Sequence, residues 1–267
     1  MAILTVSRQV ASLGDELCKS IAARLGYRFV SRKDIERKIL SLGFPKFKLE
    51  KFDERKPGFL SSLTSERDEY LDYLQLAILE SAADDNCVII GRGAFIILKD
   101  LPNHISLKFV SDKKIRISRY ESEHNCSKRV AEKNVNEIDA NRDGFNKSFF
   151  NFDINNPAMF HLVVNTGLIE TEAITLCIET IVKAAVSPQK TLDGHEMIKN
   201  QLLVQKIVNL LKYKHGLEIK FLRTEIDGAK IVLHGIADSN IEIEKTVQAV
   251  RNMFPGYQIV SAFQKMP

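Results

Sequence analysis

The segment SRQVASLGDEL, Ser7 to Leu17, follows the apolar run AILTV and leads into Leu17, Ile21 and Leu25 at four-residue spacing. A strand, a glycine-bearing loop and a helix in that order make an anion site. The first backbone N–H groups of a helix have no internal partner, and its dipole favours negative charge there. A complete phosphate loop reads GxxxxGK[ST], with the lysine on the β and γ phosphates and the hydroxyl on magnesium. The window Gln9 to Glu16 keeps only Gly14 of those four positions, and Asp15 stands where the lysine would be. Ser12-Leu13-Gly14-Asp15 also fits the [ST]-x-x-[DE] capping box, in which the carboxylate satisfies the helix start in place of a phosphate. Further along, Arg116 and Arg119 lie three apart on one predicted helix, and Asp139 and Arg142 repeat that spacing on the next. Arg92, in GRGA, follows the strand-like CVIIG, at the carboxyl end where open α/β sheets bind ligands. Arginines that close over a phosphoryl group supply the charge its transfer needs. By spacing alone the same residues read as solvated helix arginines, with Asp139 and Arg142 a surface pair worth under about 1 kcal/mol.

Placing these side chains requires a sheet. AILTV, CVIIG, ISLKFV and HLVVNT are short, continuous apolar runs of the kind buried on both faces of a parallel sheet. Between them lie helical patterns: the run from Leu17, SRKDIERKILSLG with Ser31 as cap and Gly43 as stop, and TSERDEYLDYLQLAILESAADD. Strands alternating with helices predict a three-layer α/β fold. ETEAITLCIETIVKAAV closes this part, and the Pro, Gly and polar residues of SPQKTLDGHE mark a linker over residues 187–196. Beyond it the pattern is helix, strand, an Asp227-Gly228 turn, strand, helix, strand, a small α+β unit of αββαβ order over residues 197–267.

Composition excludes more than it selects. Lysine and arginine total 38 against 34 acidic residues, a net charge of +4, too weak to imply nucleic acid. KFKLEK reads as a solvated basic patch. No apolar run approaches a membrane span and no secretory pattern opens the chain, so a cytoplasmic protein is expected. Cys18, Cys87, Cys126 and Cys177 lack CxxC spacing and read as reduced core thiols. The six histidines form no HxxxH or HExxH pair, and no metal site is expected from them.

In order along the chain, SRQVASLGDEL, FDERKPGFLSSL, VIIGRGAFIIL, the pair Arg116 and Arg119, NEIDANRDGF and LVVNTGLI resemble the cytidylate kinase-like family, a branch of the P-loop nucleoside monophosphate kinases, over roughly residues 1–185. Ser7, Arg8, Gln9, Ser12, Gly14 and Glu16 match the family's loop. The resemblance implies a P-loop kinase domain over residues 1–186. Ser7, Arg8, Gln9, Ser12, Gly14, Asp15, Glu16 and Arg92 would then be the nucleotide-binding positions, with Arg116, Arg119, Asp139 and Arg142 a catalytic lid and ATP with Mg2+ the cofactors of an active enzyme. The departures lie at the chemistry: Ala11 and Leu13 replace glycines, Asp15 replaces the family's arginine, and Ser31 and Lys33 stand at usually acidic positions near the acceptor nucleotide. FDERKPGFL is either an acceptor-site segment or a Pro-Gly turn. The C-terminal unit, through Asp227, Gly228, Ile231, Leu233 and Gly235, resembles the BON domain, which implies a module for a ligand or a protein partner.

Three functions follow as expectations. The first is a diverged family member with a degenerate loop, weak or inactive in phosphoryl transfer and serving in ligand binding or regulation, with a homo-oligomer as one form of assembly. The second is an active CMP-type kinase. The third is a scaffold that meets no nucleotide, in which the lid arginines are replaceable without effect.

Overall fold

The computed structural model describes residues 2–52, 64–84, 86–217 and 219–265. All of FDERKPGFLSSL except Phe52 therefore lies outside the described residues. The chain divides into two compact units, Met1–Ile198 and Lys199–Pro267.

The first unit runs β1 (Ile3–Arg8), α1 (Gly14–Leu25), β2 (Arg28–Val30), α2 (Arg32–Ser41), α3 (Lys46–Leu49), α4 (Thr64–Ala82), β3 (Cys87–Ile90), α5 (Ala94–Ile97), β4 (His104–Val110), α6 (Lys113–His124), α7 (Lys128–Phe150), β5 (Leu162–Asn165) and α8 (Thr171–Ala185). Its five strands are all parallel, in the order β2-β3-β1-β4-β5. The apolar runs behave as buried parallel strands should: every residue of β3 is buried, and Leu4, Val6, Val88, Ile90, Leu107 and Phe109 pack with Leu17 and Ile21 of α1 and Ile174, Ile178 and Val182 of α8. The central position of β1 brings the loop after Arg8 to the carboxyl end of the sheet, between the ends of β3 and β4.

Helix starts separate true caps from apparent ones. Ser31 caps α2 with a complete capping box: its side chain accepts from the Asp34 N–H, and the Asp34 carboxylate accepts from the Ser31 N–H at 2.8 Å. Gly43, at φ 106°, ends that helix region as expected. The linker expected over residues 187–196 is instead helical, because α9 spans Pro188–Asn209. Proline at the first helical position gives up an N–H that would be unpaired anyway. The Ser187 Oγ accepts from the Lys190 N–H at 3.2 Å, and Gly194 lets the helix approach Asn103, whose Oδ1 would lie 2.1 Å from a β-carbon there.

The second unit contains β6 (Lys220–Asp227), β7 (Lys230–Ala237), α10 (Asn240–Met253) and β8 (Gln258–Lys265), in a sheet ordered β6-β7-β8. β6 and β7 form the expected hairpin, closed by Gly228 at φ 55°, and β8 returns parallel to β7. Leu203, Ile207, Leu211, Ile231, Leu233 and Val250 make its core. None of the four cysteines is in a disulfide, but the core reading holds only for Cys18 and Cys87. Cys126 is half-buried and Cys177 exposed on α8, since an apolar helix still turns one side to solvent.

At the end of the sheet opposite the loop, His104 is 5% exposed and its Nε2 lies 2.6 Å from the Thr5 Oγ1. Burial, with a smaller contribution from His161, pushes this imidazole from its ordinary value near 6.5 down to about 3. The unfolded chain therefore binds a proton here that the folded chain refuses. The stabilisation is complete above about pH 6.5 and is lost as pH falls toward 3, on the order of 4 kcal/mol across that window. Urea titrations at pH 7.5, 5.5 and 4.5 should show wild type losing stability more steeply than His104→Gln, whose amide keeps the bond to Thr5. Parallel pH profiles would refute this.

Candidate functional site

β1 ends at Arg8, and the backbone must turn from strand to helix within five residues. It does so through two left-handed residues, Ala11 at φ 55° and Leu13 at φ 58°, the positions where the resemblance implies glycine. Each costs on the order of 1 kcal/mol. The loop thus keeps a glycine-type backbone although glycine is absent, held by packing: Leu13 lies against the main core, and Ala11 with Val10 against Ile117, Tyr120, Ala131 and Val135.

The capping box expected at Ser12 and Asp15 does not form. Leu13, not Ser12, is the N-cap of α1, and no side chain caps the helix. Ser12 is fully buried, and its hydroxyl donates to the carbonyls of Gln9 at 2.8 Å and Phe109 at 3.3 Å. The start of α1 therefore opens, without a side-chain acceptor, into a cleft of about 460 Å3. That cleft is lined by the loop, by Asp15 and Glu16 of the first turn, and by Arg8, Arg32, Arg119 and Arg142.

The structure brings Arg116 and Arg119 of α6 and Arg142 of α7 to this loop. Arg116 is 5% exposed, and its guanidinium donates to the carbonyls of Ser111 at 3.1 Å and Val10 at 3.3 Å and to Asp139 at 2.5 Å. The other oxygen of Asp139 accepts from the Val10 N–H at 2.9 Å. The two residues form one staple on the loop backbone. Arg119 donates to the Thr166 carbonyl at 2.8 Å and reaches the Ala11 carbonyl at 3.5 Å, and Arg142 donates to the Arg8 carbonyl at 3.1 Å. Gln9 ties the loop to the end of β4, its Oε1 accepting from the Ser111 N–H at 3.1 Å.

Arg8, which matches the family's loop in sequence, lines the cleft from the end of β1. Its side chain runs between two glycines: a β-carbon on Gly14 would lie 2.6 Å from its Cγ, and one on Gly91 would lie 2.9 Å from its Nη1. Its Nε stands 3.8 Å from the Asp15 carboxylate, an ion pair too long for a hydrogen bond. Arg8 and Arg142 also line a second, small cavity of about 30 Å3 with Ser7, Arg92, Phe145 and Asn146. Arg92 follows β3 as expected, yet it is 4% exposed and already engaged. It donates to the Phe52 carbonyl at 2.9 Å, pairs with Glu36 and lies over the Phe145 ring. Lys33 is exposed, and its neighbour Arg32 lines the large cleft instead. Sequence reasoning missed Glu36, Tyr120, His124 and Thr166. Tyr120 and His124 continue the Arg116 face one and two turns on, a signal that was readable, whereas Glu36 is joined to Arg92 only by the fold.

An uncharacterized protein from Eubacterium ventriosum is similar over 68% of this chain and 98% of its own, with a TM-score of 0.56 and 17% identity. A shikimate kinase from Bacteroides thetaiotaomicron (TM-score 0.42, 12% identity, 68% and 98% coverage) and a deoxyadenosine kinase from M. mycoides (0.38, 14%, 68% and 99%) are also similar. No curated protein matches the sequence significantly. The five-stranded parallel sheet with flanking helices is a three-layer α/β fold. The model of the cytidylate kinase-like family matches residues 3–168, which include the loop, the arginines of α6 and α7 and all five strands of the sheet, and the chain belongs to that family.

Proposed function

We propose that this protein binds a nucleoside polyphosphate in the cleft at the end of β1 and transfers its terminal phosphoryl group slowly or not at all. The observation that carries the reading is the open, uncapped start of α1 facing a cleft lined by four arginines, with three carboxylates, Asp15, Glu16 and Glu123, among them. The amides and arginines favour a phosphate chain. Asp15 opposes it, placing negative charge where phosphoryl transfer calls for positive charge. Magnesium fits this donor set in a limited way. Asp15 and Glu16 offer carboxylate oxygens at the cleft, and Mg2+ is ordinarily held by one or two carboxylates together with phosphate oxygens. The Ser12 hydroxyl is engaged elsewhere. Bound magnesium would screen the phosphate charge that Asp15 repels.

An active CMP-type kinase is the second reading. It is supported by Arg119 and Arg142, which bond carbonyls of the loop and line the same cleft, so that cationic side chains stand beside the start of α1. In either reading the αββαβ unit serves as a BON-like module for a ligand or a protein partner. Calorimetry of the full chain with ATP, ADP and CMP, with and without magnesium, tests all of this. The first reading expects ATP binding with little CMP-dependent ADP release. Micromolar ATP with rapid CMP-dependent release supports the kinase, and no heat with any nucleotide refutes both in favour of a scaffold.

A further inference from the structure

We propose that His124, backed by Tyr120, is the platform on which the base of the bound nucleotide stacks. This rests on the nucleotide-binding reading above and names the part of the ligand that the arginines cannot recognise.

Tyr120 and His124 lie one turn apart on α6, and their rings stack with centroids 4.0 Å apart and planes 7° from parallel. A contact this close and flat makes one continuous aromatic surface. It is fixed from behind, because Tyr120 is buried in the cluster of Ile117, Ala131 and Val135, which also holds Val10 and Ala11 of the loop. It is fixed from the side by His124 Nδ1, 3.2 Å from the Tyr120 carbonyl. His124 itself is exposed, and both rings line the same cleft of about 460 Å3 as the start of α1. That volume lies within the range of sites that hold a whole small-molecule ligand rather than an anion alone. The cleft thus has a cationic end, where the backbone amides and Arg8, Arg119 and Arg142 converge, and an aromatic wall next to Glu123, whose ring faces offer an anion no hydrogen-bond donor. A base offers that wall a π face. Since α6 carries Arg119 as well as the two rings, the helix that meets the phosphates would also meet the base.

The test separates base from phosphate. The full chain is titrated with ATP and with inorganic tripolyphosphate at pH 8. Wild type is expected to bind ATP about 5- to 100-fold more tightly than tripolyphosphate, the range of one base on one aromatic group. His124→Ala should lose most of that difference by weakening ATP while leaving tripolyphosphate unchanged, and His124→Phe should retain it. Three results would overturn the platform. ATP affinity could be unchanged in His124→Ala, both ligands could weaken equally, or wild type could show no preference for ATP. If neither ligand binds wild type, the nucleotide reading fails as well, a result distinct from the other three.

Discussion

Replacing Asp15 with arginine is expected to tighten ATP binding about 30- to 100-fold, the largest change in affinity that any one position at this loop should produce. A unit charge about 5 Å from a phosphate contributes on the order of 3 kcal/mol at an effective dielectric near 20. The Asp15 side chain is 54% exposed, so solvent screening removes more than half of that for each of the two charges exchanged. The remainder is about 2–3 kcal/mol. Part of the gain is lost by placing the new cation near Arg8, which now pairs with Asp15 at 3.8 Å. Asp15→Asn removes the repulsion without that conflict and should yield roughly tenfold. Calorimetry with ATP measures both. Unchanged affinity in both variants would mean that Asp15 is not what limits binding, and attention would shift to Ala11 and Leu13.

Removing Arg116 should cost stability where removing Arg119 costs binding. Arg116→Met leaves Asp139 without its cation and the carbonyls of Ser111 and Val10 without a donor, all in or near the interior. Breaking one side of a buried pair destabilises by about 3–5 kcal/mol, and the 24% exposure of the Asp139 side chain places this case near the lower bound. Arg119, half-buried at the cleft and bonded mainly to Thr166, should lose under about 1.5 kcal/mol on the same change. Urea unfolding and ATP titration of both variants give the contrast. If Arg116→Met unfolds like wild type and merely fails to bind ATP, Arg116 belongs to the ligand site and the staple is not structural.

The β1 loop shows why the sheet was legible in the sequence and the site only partly so. Continuous apolar runs have one physical use in an alternating chain, and β1, β3, β4 and β5 followed from them. β2 did not, because Arg28–Val30 is three residues long and only Val30 is buried. The pattern S-x-x-D occurs at both Ser12 and Ser31 and forms a capping box at Ser31 alone. At Ser12, a left-handed Leu13 delays the helix by one residue and the core claims the hydroxyl, facts that belong to packing and not to spacing. SPQKTLDGHE misled in a similar way, since proline and glycine end helices in general but can begin one, or let one approach a neighbour. The arginines were found by type and order. Their division between staple, cleft and interior could not be, since Glu36 and Phe52, which hold Arg92 by an ion pair and a carbonyl hydrogen bond, are distant in the chain.

The passage of Arg8 between Gly14 and Gly91 reaches beyond this one chain. A β-carbon on Gly14 would press on the Cβ and Cγ of Arg8, the stem next to its backbone, so Gly14 is held by the side chain at position 8. Gly91 meets only the movable tip of Arg8, and its φ of 82° holds it to glycine whatever stands at position 8. Both constraints act whether or not a nucleotide is ever bound, so glycines retained at these two places are no evidence by themselves that catalysis has been under selection.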